Sequence, residues 1–201
     1  MASLRGLGYL ASQLARSPRQ LKHIAKWIRA RSGSPVEQRL PWLPFDVINL
    51  LEANVSPDSK VFEFGGGGST MWFSDRVGTV VTVEHDPTWA QSLIAATDGN
   101  PRTNILVHDD SDGYANYVEA IRAFPDEYFD VIVVDGRERV RCTAEAAAKV
   151  RPGGLLLLDD SERPRYAGAH NLLAGWPSQV ITGLAPFKPQ AGTTTVWRRP
   201  E

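Results

Sequence analysis

Five short apolar runs recur along the chain, each of strand length and each followed by a segment with helical spacing. The runs are Lys60–Phe64, Thr79–Val83, Asn104–Val107, Phe129–Val134 and Leu155–Leu158, rich in β-branched, leucine and phenylalanine side chains. Between them, Met71, Trp72, Phe73 and Val77 suit a helix packed on a sheet, and Trp89, Leu93 and Ile94 form an apolar face behind Pro87. Further helices are expected from about Tyr114 to Phe124 and through an alanine-rich stretch to about Val150. Such alternation predicts an α/β fold with a parallel sheet wrapped by helices on both faces. A weaker helix at Ala167–Ala174 precedes two strands, Gln179–Gly183 and Thr193–Arg198, with no helix between them. That pair implies a hairpin, so the last of seven strands should run antiparallel.

Ahead of the first strand, a helix is expected at Phe45–Ala53 behind a rigid Pro41-Trp42-Leu43-Pro44 connector. The chain therefore divides into an extension, residues 1–44, and a body, residues 45–201. In the extension, Ser17-Pro18 reads as a helix start, Leu21, Ile24, Ala25 and Ile28 recur at helical spacing, and Gly33 and Pro35 end the run. Residues 1–36 hold seven Lys/Arg and no acid, whereas the rest holds fifteen basic and twenty-three acidic residues. This basic amphipathic helix suits docking on the body or on a second subunit in a homodimer. An anionic membrane surface, a lid over the active site and a targeting role are the alternatives. The acidic body disfavours nucleic acid as a partner.

With 42% hydrophobic and 22% charged residues in a chain of 201, a packed core is expected. Runs such as Leu155–Leu158 are far too short to span a bilayer. The single Cys142 excludes an internal disulfide and fits a reducing cytoplasm, with peripheral membrane contact through the basic helix as the variant. No Cys/His cluster has zinc spacing.

The chemistry begins at the first strand's end. Four glycines, Gly65 to Gly68, follow Phe64, and Ser69-Thr70 open the next helix. A strand–glycine–helix turn lets backbone approach a ligand closely. Glu63 lies two residues before Gly65, giving acid-x-Gly-x-Gly with Gly67. A carboxylate there would repel a dinucleotide's pyrophosphate, and no Gly-Lys-Ser/Thr marks a P-loop. The turn resembles the first motif of the class I S-adenosylmethionine-dependent methyltransferases. That resemblance covers about residues 45 to 200 and implies a Rossmann-like, seven-stranded methyltransferase sheet. It places the cofactor's amino-acid end near Glu63, Gly65, Gly67, Ser69 and Thr70.

All five parallel strands end in an acid within two residues, on the edge where open α/β sheets bind ligands. Glu84 lies about 20 residues beyond the glycine turn, the distance at which a carboxylate takes both ribose hydroxyls. His85 sits beside it, and Asp110, with Asp109 or Ser111 competing, is placed to accept from an adenine amino group. Asp135 after the fourth strand and Asp159-Asp160 after the fifth should converge. Crowded carboxylates repel unless a cation or protons intervene, and hard oxygen ligands suit Mg²⁺. The spacing resembles metal-dependent small-molecule O-methyltransferases of the catechol and macrolide-sugar types, which implies Asp135, Asp159 and Asp160 as metal ligands. Glu138 stands where the catechol enzymes have a lysine.

The expected function is Mg²⁺-assisted transfer of a methyl group to a hydroxyl of a small molecule: a sugar, a glycolipid, or a phenolic or polyketide metabolite. Asp135 is the candidate base and His170, between the fifth and sixth strands, the alternative base. Arg137, Arg139, Arg141, Arg163 and Arg165 flank the acids and suit an anionic substrate group. The alternatives are a metal-independent N- or carboxyl-methyltransferase and a non-catalytic adenosyl-binding partner subunit.

Overall fold

The structure, a computed structural model, describes residues 17–30 and 32–201, so the first sixteen residues of the basic extension lie outside the described residues. One sheet holds seven strands: β1 (Lys60–Phe64), β2 (Thr79–Glu84), β3 (Thr103–Val107), β4 (Phe129–Val134), β5 (Val150–Asp159), β6 (Ser178–Gly183) and β7 (Gly192–Arg198). Their order is β3-β2-β1-β4-β5-β7-β6. β1 to β5 pair in parallel, and β7 lies antiparallel between β5 and β6. The winding reverses between β1 and β4, and a crevice opens at that switch point beyond the strands' carboxyl ends.

Side chains alternate across the sheet with the two-residue period of a strand. Phe62, Phe64, Ile132, Val134, Leu156 and Leu158 face one layer, while Val61, Val131, Val133, Leu155 and Leu157 face the other. The first layer is closed by α5 (Ala115–Glu119), α6 (Arg139–Ala147) and α7 (Ala167–Leu172). The second is closed by α1 (Ile24–Ala30), α2 (Phe45–Glu52) and α3 (Gly68–Ser74), and α4 (Pro87–Thr97) flanks β2 and β3. Both faces are therefore buried, which is why the parallel strands read as near-continuous apolar runs.

Two boundaries differ most from the sequence expectation. The helix expected from Tyr114 shrinks to α5 and a 3₁₀ turn at Ala120–Ala123, because Tyr114 itself adopts a left-handed backbone at φ 65°. β5 begins at Val150, not Leu155: Phe129 pairs with Val150 but Val131 with Leu155, so Pro152-Gly153-Gly154 loop out as a bulge within the strand.

The N-terminal helix presents a different face from the one its apolar spacing suggests. Residues Pro18–His23 wind as a 3₁₀ helix before α1, and Gln20, His23, Trp27 and Ala30 are buried. Leu21 and Ile28 are 56% and 60% exposed. Polar contacts choose this face. Gln20 Nε2 donates to Asp46 Oδ2 at 2.7 Å, Leu184 N–H donates to Gln20 Oε1 at 3.0 Å, and His23 Nε2 lies 2.9 Å from Asp46 Oδ1. Burial alone would raise the Asp46 pKa, but bonds from Lys22, His23 and Gln20 hold it down to about 2. Trp27 Nε1 donates to the Lys188 carbonyl at 2.9 Å, so α1 fastens the loop between β6 and β7. Trp27→Ala should cost about 3 kcal/mol by the loss of a buried indole. Leu21→Ala and Ile28→Ala should each stay within about 0.5 kcal/mol, as surface changes do. Denaturant unfolding of the three variants checks the assignment of faces.

Candidate active site

A cleft of about 1090 Å³ opens at the switch point, lined by the glycine turn, the ends of β2, β4 and β5, and the loop before β7. The turn is shaped by two glycines in contact. Gly65 has φ +91°, and a Cβ there would stand 2.8 Å from Gly136 Cα, so the tips of β1 and β4 touch backbone to backbone. Gly67 is different: its backbone is extended and a Cβ would meet nothing within 4 Å. The fold leaves that space open to the cleft, which suits a ligand lying against the turn. Ser69 lines the cleft, whereas Thr70 is buried and its Oγ1 accepts from Gly67 N–H at 3.1 Å. Thr70 braces the turn from behind.

Glu63 is likewise beneath the turn and away from the cleft. It is fully buried and faces its cross-strand neighbour Thr82, whose hydroxyl donates to Glu63 Oε2 at 2.8 Å. Glu63, expected near the cofactor's amino-acid end, stands behind the turn and not on the cleft wall. Burial pushes its carboxyl up to about 7, against the hydroxyls of Ser69, Thr70 and Thr82.

Glu84 does line the cleft, at the tip of β2. Its Oε2 accepts from Gly66 N–H at 3.0 Å, and its Oε1 accepts from the N–H groups of His85 and Asp86 at 2.7 and 2.9 Å. These bonds fix the carboxylate on the cleft wall. His85 lines the same wall, with Arg137 Nε donating to its Nε2 at 3.2 Å. Asp110 and Ser111 fall outside the cleft, because β3 lies two strands from the switch point at the sheet edge. Their turn borders a smaller hollow beside His108, Asp109 and Asp112, and Ser111 is spent on Asp109 through Oγ and N–H. Trp89 was missed as a site residue. It reads as core by helical period, yet it lines the cleft and its Nε1 donates to Gly66 O at 2.8 Å.

The three acids converge as their strand positions predict. One oxygen from each of Asp135, Asp159 and Asp160 lies within 4.8 Å of the others. Asp160 reaches inward from a left-handed backbone at φ 51°. Cations are interleaved with them. Arg139 Nη2 lies 2.9 Å from Asp135 Oδ1, Lys188 Nζ lies 2.8 Å from Asp159 Oδ2 and 3.3 Å from Asp160 Oδ1, and Arg163 Nη2 lies 2.7 Å from Asp160 Oδ2. Asp159 is 1% exposed, and its other oxygen accepts from Thr194 Oγ1 at 2.7 Å. Burial and the neighbouring Asp159 carboxylate push the Asp135 carboxyl up to about 7, while Arg139 and Lys188 oppose the rise. Lys188 carried no signal in the sequence. It stands alone in a proline-rich loop, far along the chain from both of its partners.

His170 does not reach the cleft. Its Nε2 lies 3.0 Å from the Ser161 carbonyl, which can only accept, so that nitrogen carries a proton and is no base; the ring packs on Trp197. Of the five arginines, Arg137, Arg139, Arg163 and Arg165 line the cleft. Arg139 is buried and donates to the carbonyls of Asp135, Gly136 and Asp159, so it braces the β4 and β5 tips. Arg141 turns away to Gly113 O.

Two measurements test this assignment of roles. Gly67→Val should leave unfolding free energy within about 0.5 kcal/mol yet weaken adenosyl-cofactor binding at least about tenfold, read by calorimetry, whereas Gly65→Ala should destabilise the fold itself through its positive φ. Neutral Glu63 stabilises the fold fully below about pH 4.5, and that contribution is lost as pH rises through about 7. Relative to Glu63→Gln, the native protein should therefore lose up to about 3 kcal/mol between pH 4.5 and 8. Denaturant unfolding at several pH values reads the difference.

Residues 62–161 match a family described as a methyltransferase domain. Among solved structures, an rRNA methylase from Streptococcus thermophilus shares the fold at 7% identity and a TM-score of 0.58, over 76% of this chain and 93% of that one. Precorrin-6y C5,15-methyltransferase from Geobacter metallireducens does so at 15% identity and 0.55, over 75% and 87%. The YcgJ protein of Bacillus subtilis does so at 11% identity and 0.56, over 77% and 97%. No curated protein sequence matches the chain. The family match begins inside β1 and ends just beyond β5, so it takes in the glycine turn, Glu84 and all three acids. Over that span, just under half of the chain, the protein is similar to the methyltransferase-domain family, and its sheet is that of the solved methyltransferases named above.

Proposed function

We propose that the protein methylates a hydroxyl of a small acceptor carrying an anionic group. The observation that carries this reading is the placement of Asp135 on the cleft wall beside the glycine turn, with its carboxyl raised above the usual carboxylate range by burial and by Asp159. Arg137, Arg163 and Arg165 line the same cleft and suit an acceptor phosphate or carboxylate. Tyr166 and Trp42 supply apolar walls. A sugar phosphate, a glycolipid headgroup or an acidic phenol fits that description. A nucleic-acid acceptor is disfavoured by the excess of acids beyond residue 36.

S-Adenosylmethionine, when bound, supplies a methyl carbon on a sulfonium, open to in-line attack. The chain's own residues do the rest. The glycine turn holds the amino-acid end, and Glu84 and Trp89 orient the nucleoside end. Asp135 accepts the hydroxyl proton while the acceptor oxygen bonds to the methyl carbon and the sulfur–carbon electron pair stays on sulfur. Arg139 keeps the Asp135 carboxyl aimed. Magnesium assistance, expected from the acid triad, does not enter this reading, since Arg139, Lys188 and Arg163 already stand at ion-pair distance from the three carboxylates.

The outward face of the N-terminal helix carries Leu21, Ala25 and Ile28 among Lys22, Lys26 and Arg29, all exposed. That charge and that apolar stripe support contact with an anionic membrane surface as the place where a lipid-linked acceptor is met.

Asp135→Asn should lower turnover about 10²–10⁴-fold, the usual weight of a general base, with cofactor affinity changed less than twofold. Methyl transfer from labelled cofactor to a panel of anionic hydroxyl compounds, with calorimetry for binding, checks both halves. Tight cofactor binding with no methylated product in any hydroxyl, amine or carboxylate acceptor would instead support the binding-subunit alternative.

A further inference from the structure

Resting on that reading of the cleft, we infer that Lys188 is the resident cation of the site: its ammonium takes the place of a divalent metal ion beside Asp159 and Asp160 and donates to the acceptor oxygen. The donor set alone would suit Mg²⁺, being three hard carboxylate oxygens in reach of one another. The surroundings do not. Three carboxylates, even with all of them ionised, are matched by three cations at ion-pair distance, Arg139, Lys188 and Arg163, so the cluster carries no excess negative charge before any ion arrives. A divalent ion would add two uncompensated charges to a half-buried cleft, or would have to expel Lys188 from both of its carboxylates.

Asp159 makes the second case hard. It is closed off at the sheet edge, with Thr194 on one oxygen and Lys188 on the other. Lys188 is held in turn. Its carbonyl is fixed by Trp27, and its N–H donates to the Pro186 carbonyl at 2.7 Å. An ammonium has three protons; two go to Asp159 and Asp160, and one remains for an oxygen in the cleft that Lys188 lines. In the reaction that N–H supports the acceptor oxygen as its proton leaves for Asp135 and the oxygen–methyl bond forms. The sulfur–methyl pair departs on sulfur, and no metal is required for the balance.

The test is a divalent-ion titration of the chelator-treated protein, using Mn²⁺ followed by electron paramagnetic resonance, with Lys188→Met, Lys188→Ala and Lys188→Arg beside the native chain. The native chain and Lys188→Arg should bind no Mn²⁺ at this cluster. Lys188→Ala, with three acids and room for an ion, should gain binding at least about tenfold tighter than native, and Asp159→Asn in that background should abolish it. Native turnover should survive EDTA. Lys188→Met should lose about 10²-fold in kcat with cofactor affinity unchanged, as on removal of one oxyanion donor, and Lys188→Arg should recover part of it. Specific Mn²⁺ binding by the native chain, loss of turnover in EDTA, or native kcat in Lys188→Met would each overturn the inference. The Mn²⁺ signal reads the charge balance directly, so a protein that methylates no hydroxyl would defeat the proposed function while leaving this result to be judged on its own.

Discussion

Three carboxylates at the tips of neighbouring parallel strands can share one small space only if positive charge is folded in among them. Everything at the open edge of this sheet is arranged around that demand. Arg139 comes from the first turn of α6, Arg163 from the chain just past β5, and Lys188 from the loop before β7. Each of the three therefore arrives from a different element. The antiparallel insertion of β7 against β5 is what brings Thr194 and Lys188 to Asp159, which no purely parallel continuation of the sheet would do.

The same demand explains the docking of the N-terminal helix. A lysine held against two carboxylates needs its loop held still, and Trp27 bonds to the backbone of Lys188 itself. Gln20 fixes the start of that loop at Leu184, and Asp46 ties Gln20 and His23 to α2. A segment that looks peripheral by charge and composition is thus part of the support of the cleft. Its exposed apolar and basic residues are left over for a contact outside the chain.

On the other side of the switch point the constraint is steric. Gly65 and Gly136 let β1 and β4 approach until their backbones touch, and Glu63 and Thr82 lock the turn from below. The acid of the glycine motif is therefore a buried brace, while Glu84, one strand over, is the carboxylate that faces the cleft. Both acids stand at comparable places in the sequence pattern. Position along the strand separates them: Glu63 pairs across the sheet with Thr82, whereas Glu84, two residues beyond Thr82 on the same face, stands at the very end of β2 beside the opening.

Strand identity, strand order of chemistry and the convergence of Asp135 with Asp159 and Asp160 were legible in the sequence, because they follow from local period and from the rule that ligands meet the carboxyl ends of parallel strands. Contacts between distant segments were not legible. Apolar spacing selected Leu21 and Ile28 as the buried face of the first helix, yet Gln20, His23 and Trp27 won through partners more than twenty residues away. His170 read as a base and became a donor to a carbonyl; Trp89 read as core and became a wall of the site. Sequence by itself determined which acids gather at the sheet edge, since a strand's register fixes where its end residue goes. Only the tertiary structure decided what neutralises them, since an ion pair depends on distance in space and a lone lysine in a loop carries no period to reveal its partner.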